Sequence, residues 1–443
     1  MNQEEIPRYV VGLGIKHGVT DIVAKLVELD QTMIRFSNNE VTASKSFCEH
    51  VVDIFVLVEK QRAGSTVGDL SAKALARTVE KLVKMAKMGP PADVYAPLPS
   101  GPFKYDSSLM RPSQVSLDSD RLINHVKEAI DGASEFGAVR VAGSLIATNA
   151  KIFLESSSRA SVMQSSSGLE VSVRALASDV ASGHWVSIAQ SERDFRPAEA
   201  GRVAGKIASM ALNPKEGKPG KYTAILSPLV FGDLVNQMGS LSSAFMVEAG
   251  QSFLADKIGL RVASENFTLI DDPTLAETYG TIAFDDEGVP ARRNVIVENG
   301  ILKTYLHNHT TAKKFNVETT ANAGLIVPSP WNLVVESGGS TFEEMLSGID
   351  EGIYVTNNWY LRYQDYKRGD FSTIPRDGIF QIKNGQIGDP VRDLRISDNI
   401  LRIFQNIQEL SSSRFWVKWW EVLIPTLTPY AVIKDLNFTR STM

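Results

Sequence analysis

Val295-Ile-Val-Glu-Asn-Gly-Ile-Leu-Lys303 and Phe380-Gln-Ile-Lys-Asn-Gly-Gln-Ile387 each set Asn-Gly between two β-prone runs. Asn-Gly tolerates the two positive φ angles of a tight type I′ turn, so both stretches predict hairpins. Helical stretches follow them near 310–315 and 397–407, a short helix is predicted at 341–347, and apolar strands at 421–424 and 431–438 close the chain. Regular strand-helix-strand spacing is missing. The fold class is therefore α+β, with mixed or antiparallel sheets in a β-rich C-terminal domain.

Upstream, residues 4–17 have helical periodicity, with Ile6, Val10, Val11 and Gly14 on one side. Strands are predicted at 21–29 and 32–37, broken at Asp30-Gln31, then at 40–46 and 51–59, with 63–68 continuing the sheet. Ser71 caps a helix to Met88 whose stripe is Leu75, Val79, Leu82, Val83 and Ala86. Six prolines between 89 and 116 impose an extended connection. Asp118 or Ser119 then opens a helix, followed by strands at 151–155, 159–165, 170–178 and 183–191 and a helix at 197–212. The order of helix, strands and helix thus occurs twice, and an N-terminal duplicated strand/helix domain, 1–212, is predicted, with units of about 1–89 and 117–212. The turn-rich segment 213–220 separates it from the C-terminal domain, 221–443.

The chain has 443 residues, 43% hydrophobic and 22% charged, with a net charge of −5. That balance argues against electrostatic nucleic-acid binding. A single cysteine, Cys48, excludes a disulfide framework or a Cys-rich metal site within the chain. The N-terminal residues are polar and acidic, and no apolar run spans a membrane, so the expected location is cytoplasmic.

Motifs for chemistry are sparse. No two histidines have the spacing of a zinc-protease helix. His307 and His309 would share a face on a strand and could chelate, or could mark a polar sheet edge. Asp271-Asp272 and Asp285-Asp286-Glu287 read as turn formers beside strands. Cys48 near His50 reads as a buried, inert thiol, and no Gly-x-Ser-x-Gly elbow occurs. No catalytic residue is assigned. Two aromatic clusters, Trp359-Tyr-Leu-Arg-Tyr-Gln-Asp-Tyr366 and Arg414-Phe-Trp-Val-Lys-Trp-Trp420, are candidates for a protein or peptide interface, with Trp416, Trp419 and Trp420 as the leading residues.

Gln251-Ser-Phe-Leu-Ala-Asp-Lys-Ile-Gly-Leu-Arg-Val262, Leu269-Ile-Asp-Asp-Pro273, Ala283-Phe-Asp-Asp-Glu-Gly-Val-Pro290 and the Val295 hairpin occur in an order that resembles the TldD/PmbA family, the so-called modulators of DNA gyrase. Asn322-Ala-Gly324, Gly369-Asp-Phe-Ser372 and the stretch from Asp377 to Val391 extend the resemblance. Catalytic members carry His-Glu-x-x-x-His on the preceding helix and a Cys ligand near the C-terminus. The corresponding segment here, Pro228-Leu-Val-Phe-Gly-Asp-Leu-Val-Asn-Gln-Met-Gly-Ser240, has no histidine, and no cysteine follows Cys48. The chain is therefore similar to the PmbA/TldE-type branch. The resemblance implies a non-catalytic subunit of a peptidase acting on unfolded peptides, with no cofactor in this chain and zinc in a TldD-like partner. It would pair with that partner, or form a homodimer when isolated, with no nucleic acid or membrane as partner. Gly369, Asp370, Phe371 and Ser372 are the candidate peptide contacts. The alternatives are a self-sufficient metal-dependent peptidase with an atypical site, or a non-enzymatic regulator or scaffold.

Overall fold

The computed structural model describes residues 2–112 and 114–441. The chain opens with α1 (Glu5–Lys16), β1 (Asp21–Ser37), β2 (Glu40–Val58), β3 (Gln61–Val67) and α2 (Ala72–Met88). The same order returns as α3 (Ser119–Ser134), β4 (Arg140–Ser156), β5 (Ser161–Leu176), β6 (Ser182–Ala189) and α4 (Pro197–Met210). Each set of strands is an antiparallel meander, and the two meet at β1 and β4 to give one six-stranded sheet, β3-β2-β1-β4-β5-β6.

Local chemistry accounts for the helices. The Ser71 hydroxyl accepts from the Ala74 N–H at the start of α2, and the Asp118 carboxylate accepts from the Arg121 N–H at the start of α3. The predicted stripe of α2 is its buried face. Helices α3 and α4 cross at glycines. A Cβ at Gly201 would lie 2.0 Å from the Ala129 carbonyl oxygen, and one at Gly132 would lie 2.3 Å from that of Ala198.

The four helices cover one face of this sheet. Ile22, Leu26, Val52 and Ile54 pack on α1 and α2, while Ile34, Leu145 and Val171 pack toward α3 and α4. On the other face, Val23, Phe55 and Leu57 meet Leu98 and Leu109 of the proline-rich connection, together with Ala283 and Phe284.

Strand lengths differ from expectation. The break at Asp30-Gln31 is absent, because Asp30 pairs with Cys48 on one side and Asn149 on the other. Ladder hydrogen bonds on both flanks hold this polar pair extended. The gap expected at 46–51 closes within β2 through its pairing with β1 alone, β4 starts at Arg140, and the strands expected at 159–165 and 170–178 are one strand.

The second sheet has twelve strands. In chain order they are β7 (Lys215–Glu216), β8 (Gly220–Leu226), β9 (Leu269–Asp271), β10 (Asn294–Glu298), β11 (Ile301–Leu302), β12 (Leu333–Val335), β13 (Glu351–Asp365), β14 (Asp370–Lys383), β15 (Gln386–Arg392), β16 (Leu394–Asn399), β17 (Ile407–Trp419) and β18 (Val422–Arg440). Both Asn-Gly hairpins form, with φ of 48° and 79° at Asn299 and Gly300 and 48° and 71° at Asn384 and Gly385. The two strands expected at 421–424 and 431–438 are one, β18, which runs through Pro429 opposite Arg414, where the pairing is irregular. Helix α5 (Pro228–Leu241) is buried on nearly all sides against this sheet. Shorter helices are α6 (Ala244–Glu248), α7 (His309–Phe315), α8 (Phe342–Ser347) and α9 (Ile400–Gln405). Among the described residues no helix is long and apolar enough to cross a membrane.

Candidate functional site

A cleft of about 670 Å³ opens where the bare end of the first sheet faces the second. Met33, Arg35, Phe36, Glu170 and Arg174 line one wall, and Trp359, Lys418, Trp419, Trp420 and Leu423 the other. The two aromatic clusters, about sixty residues apart in sequence, converge here. Ring centroids of Trp359 lie 5.1 Å from Trp420 and 6.1 Å from Trp419, and Tyr360 lies 5.9 Å from Trp420. A bulge in β13 makes this possible. Tyr360 has φ of 59°, a costly conformation for an aromatic residue, and its N–H donates to Glu421 Oε1 at 2.8 Å. The Arg376 and Arg174 guanidiniums lie over the Trp359 ring at 5.5 and 5.3 Å.

Other candidates fall outside the cleft. Trp416 is half-buried and absent from its lining. Gly369 has φ of 80° against Phe253, and Asp370 accepts from Asn399 Nδ2. Phe371 lies in the core, and the Ser372 hydroxyl accepts from Arg395. The neighbouring Thr373 is buried behind the cleft, accepting from Asn358 Nδ2 and donating to the Trp359 carbonyl, both at 3.0 Å.

A buried polar network forms the floor. Asp377 accepts from Arg174 Nε at 2.7 Å, from the Ser182 hydroxyl at 2.6 Å and from Asn357 Nδ2 at 3.0 Å. His184 lies between Ser172 (Nε2 to Oγ, 2.8 Å) and Asn357 (Nδ1 to Nδ2, 3.1 Å) and packs on Trp419. The constellation looks like a serine triad, but its polarity is reversed. Asp377 can only accept, so it fixes the Asn357 amide with its NH2 toward both Asp377 and His184. His184 Nδ1 then accepts, and its proton is on Nε2, donated to Ser172. The imidazole cannot take a proton from Ser172 in this arrangement.

Burial also lowers the His184 pKa to about 4. A depressed folded-state value means stability that is complete above the unfolded pKa near 6.5 and lost as the pH falls toward 4. This group accounts for a loss on the order of 3 kcal/mol across that window. His184→Gln should flatten the acid limb of a melting-temperature profile between pH 6.5 and 4. A limb identical to that of the unmodified protein would contradict a buried neutral imidazole.

Helix α5 is the other chemical focus. The Ser227 hydroxyl accepts from the Leu229 and Val230 N–H groups, and Pro228 occupies the first turn. Its single carboxyl, Asp233, is fully buried and accepts from Asn358 Nδ2 at 2.6 Å and Gln237 Nε2 at 3.2 Å. Burial pushes its pKa up to about 7, against the pull of those two donors. If Asp233 takes the acidic position of His-Glu-x-x-x-His, the two histidine positions fall on Gly232 and Gln237. A Cβ at Gly232 would lie 2.7 Å from Val417 Cγ2, and the Gln237 amide is turned to Asp233. These residues do not fit a zinc ion, which needs several unencumbered nitrogen, sulfur or carboxylate ligands. Gly232→His should cost at least about 1–3 kcal/mol by overpacking, measured by denaturant unfolding, with part of the loss restored by Val417→Ala. An unchanged midpoint would show that the helix has room for a ligand.

His307 and His309 do not share a strand face. The Asn308 side chain caps α7, which begins at His309. His307 packs near the Tyr305 and Phe315 rings with Nδ1 3.2 Å from the Thr311 hydroxyl, and burial lowers its pKa to about 4. Cys48 is exposed, not buried, because β2 runs beyond the helical cover at that point. The acidic runs shape loops. Asp271 accepts from the Trp331 and Asn332 N–H groups and from Asn322, and Asp285 from the N–H groups of Glu287, Val289 and Ala323. Asp286 pairs with Lys25 of β1 at 2.9 Å and so ties the two halves together.

Sequence reasoning missed Asp233, His184, Arg174, Asn357, Asn358 and Asp377. Only Asp233 carried a local signal, as a lone acid in an otherwise apolar helix.

The family model described as "PmbA/TldA metallopeptidase C-terminal domain" matches residues 219–440. A metalloprotease of Methanothermobacter thermautotrophicus is 26% identical over 358 residues, 79% of this chain and 74% of that protein. A metalloprotease of Methanocaldococcus jannaschii is 34% identical over 226 residues, 47% of this chain and 48% of its own length. A PmbA homolog of Buchnera aphidicola subsp. Acyrthosiphon pisum is 29% identical over 50% of this chain and 51% of its own. The alignments thus span about half the length of several of these relatives. TldE of Thermococcus kodakarensis superposes with a TM-score of 0.86 at 19% identity, covering 98% of this chain and 100% of that one. A Thermotoga maritima protein described as a modulator of a DNA gyrase gives 0.86 at 24%, covering 99% and 100%. At these identities the superpositions show a shared fold.

Proposed function

This chain belongs to the TldD/PmbA family, and from that premise we propose that it is a PmbA/TldE-type subunit that binds unfolded peptide and leaves hydrolysis to a TldD-like partner. The observation that carries the reading is α5, which has no histidine and a single carboxyl, Asp233, flanked at the His-Glu-x-x-x-His spacing by Gly232 and Gln237, neither of them a zinc ligand. Zinc and the activated water belong to the partner. This chain supplies a wall of the chamber, and in isolation it pairs with a second copy of itself. Its compartment is the cytoplasm.

The cleft suits an extended, unfolded segment. Trp359 and Trp420 offer apolar area with few rotors to freeze. The net charge of −5 disfavours a nucleic-acid ligand. A self-sufficient hydrolase is disfavoured by the reversed polarity at Ser172 and by the separation of His307 from His309.

The test is reconstitution. The purified chain, a TldD-type subunit and their mixture are each given an unfolded polypeptide. Chelator-sensitive cleavage confined to, or strongly enhanced in, the mixture is the expected result. Cleavage by this chain alone would overturn the proposal, as would a TldD-type subunit whose activity is indifferent to it.

A further inference from the structure

The geometry points to a zinc-type divalent-cation site on the helix-side face of the first sheet, built from Asp30, Cys48 and His50 with the Glu28 carboxylate beside them. Glu28 stands opposite His50 and Asp30 opposite Cys48 in the β1–β2 register. Directly opposed residues of an antiparallel pair share a face, as do residues two apart on one strand. The four side chains therefore form a two-by-two block. Ligand atoms of Asp30, Cys48 and His50 lie within 4.8 Å of one another, and Cys48 Sγ is 3.6 Å from His50 Nε2.

The block falls in a gap in the helical cover. Leu26 and Val52 on one side pack under α1 and α2, and Ile34 on the other packs toward α3. Asp30 and Cys48 are open to solvent, so an ion can enter. Glu28 is 8% exposed, yet its Oε1 has no hydrogen-bond partner among the described residues. A buried carboxylate oxygen without a donor is costly, and a cation held by the neighbouring cluster would lower that cost. Lys151 of β4, paired with Glu28 in register, is the nearest cation on that row and is exposed.

The donor set decides the class of ion. A thiolate, an imidazole and a carboxylate suit zinc and its borderline neighbours, whereas calcium and magnesium favour oxygen alone. Without a cation, the Asp30 carboxylate hydrogen-bonded to Cys48 holds the thiol above its ordinary pKa. Binding a cation therefore releases a proton from sulfur. This site is on the opposite face from the cleft, whose wall uses Met33 and Arg35 of β1, and it stands independently of the peptide reading.

Reduced, metal-free protein is titrated with Co²⁺ and then Zn²⁺. One ion per chain, a thiolate-to-cobalt charge-transfer band and its loss on adding Zn²⁺ are expected. Cys48→Ser should abolish the band, and His50→Ala and Asp30→Asn should each weaken binding by about tenfold or more, with circular dichroism confirming the fold of every variant. Slower alkylation of Cys48 in the presence of Zn²⁺ gives a second readout in unmodified protein. No saturable band, or a band that survives Cys48→Ser, would overturn the site.

Discussion

Asp377→Ala should lower the unfolding free energy by about 3–5 kcal/mol, the range for removing one partner of a buried ion pair. Asp377 is fully buried on β14, whereas Arg174 and Ser182 come from β5 and β6 of the other sheet. The substitution strands the Arg174 guanidinium and frees Asn357, whose amide orients His184. Arg174 keeps some access to water, with 34% of its side chain exposed, which favours the lower end of the range. The effect is also pH-dependent. Burial alone would raise the Asp377 pKa, but Arg174, His184, Ser182 and Asn357 together hold it below the usual carboxylate value. A depressed folded-state pKa means stability present above about pH 4 and lost as the pH falls through the folded value. Urea unfolding at pH 7 should therefore separate the variant widely from the unmodified protein, and the gap should narrow in acid. A loss under about 1 kcal/mol at pH 7 would mean that the two sheets are not tied together here.

Trp420→Ala should weaken capture of an unfolded peptide by about 30-fold, the consequence of losing a hot-spot aromatic worth about 2 kcal/mol. Trp420 is 57% exposed and stacks edge-on with Trp359 and Tyr360, so its removal should cost the fold little. Trp419 is a poor probe because it is buried against His184. Trp416→Ala is the natural control, since that ring does not line the cleft. Fluorescence-detected peptide affinity of this chain and kcat/KM of the reconstituted pair should fall together in Trp420→Ala and hold in Trp416→Ala. Unchanged affinity and unchanged cleavage in Trp420→Ala would remove the cleft as the peptide site.

The errors of sequence reading share one cause. Asp30-Gln31 reads as a turn because polar residues usually end strands, yet β1 is paired on both sides and continues. Two strands are expected at 421–424 and 431–438, yet β18 runs through the intervening Pro425 and Pro429 where its pairing with β17 is irregular. Cys48 reads as a buried thiol because small apolar side chains usually are, and only the position of α1 and α2 leaves it open.

By itself the sequence determined what acts over a few residues. Ser71, Asp118 and Ser227 cap helices through their own backbone, and each Asn-Gly pair makes its hairpin whatever surrounds it. The duplicated element order and the missing histidines of α5 were legible for the same reason. Tertiary structure alone decided the cleft, its floor and the Glu28–Cys48 block. Trp359 meets Trp420, and Arg174 meets Asp377, through strand registers set by which apolar faces must be buried together, and no local pattern encodes a pairing between residues so far apart in the chain.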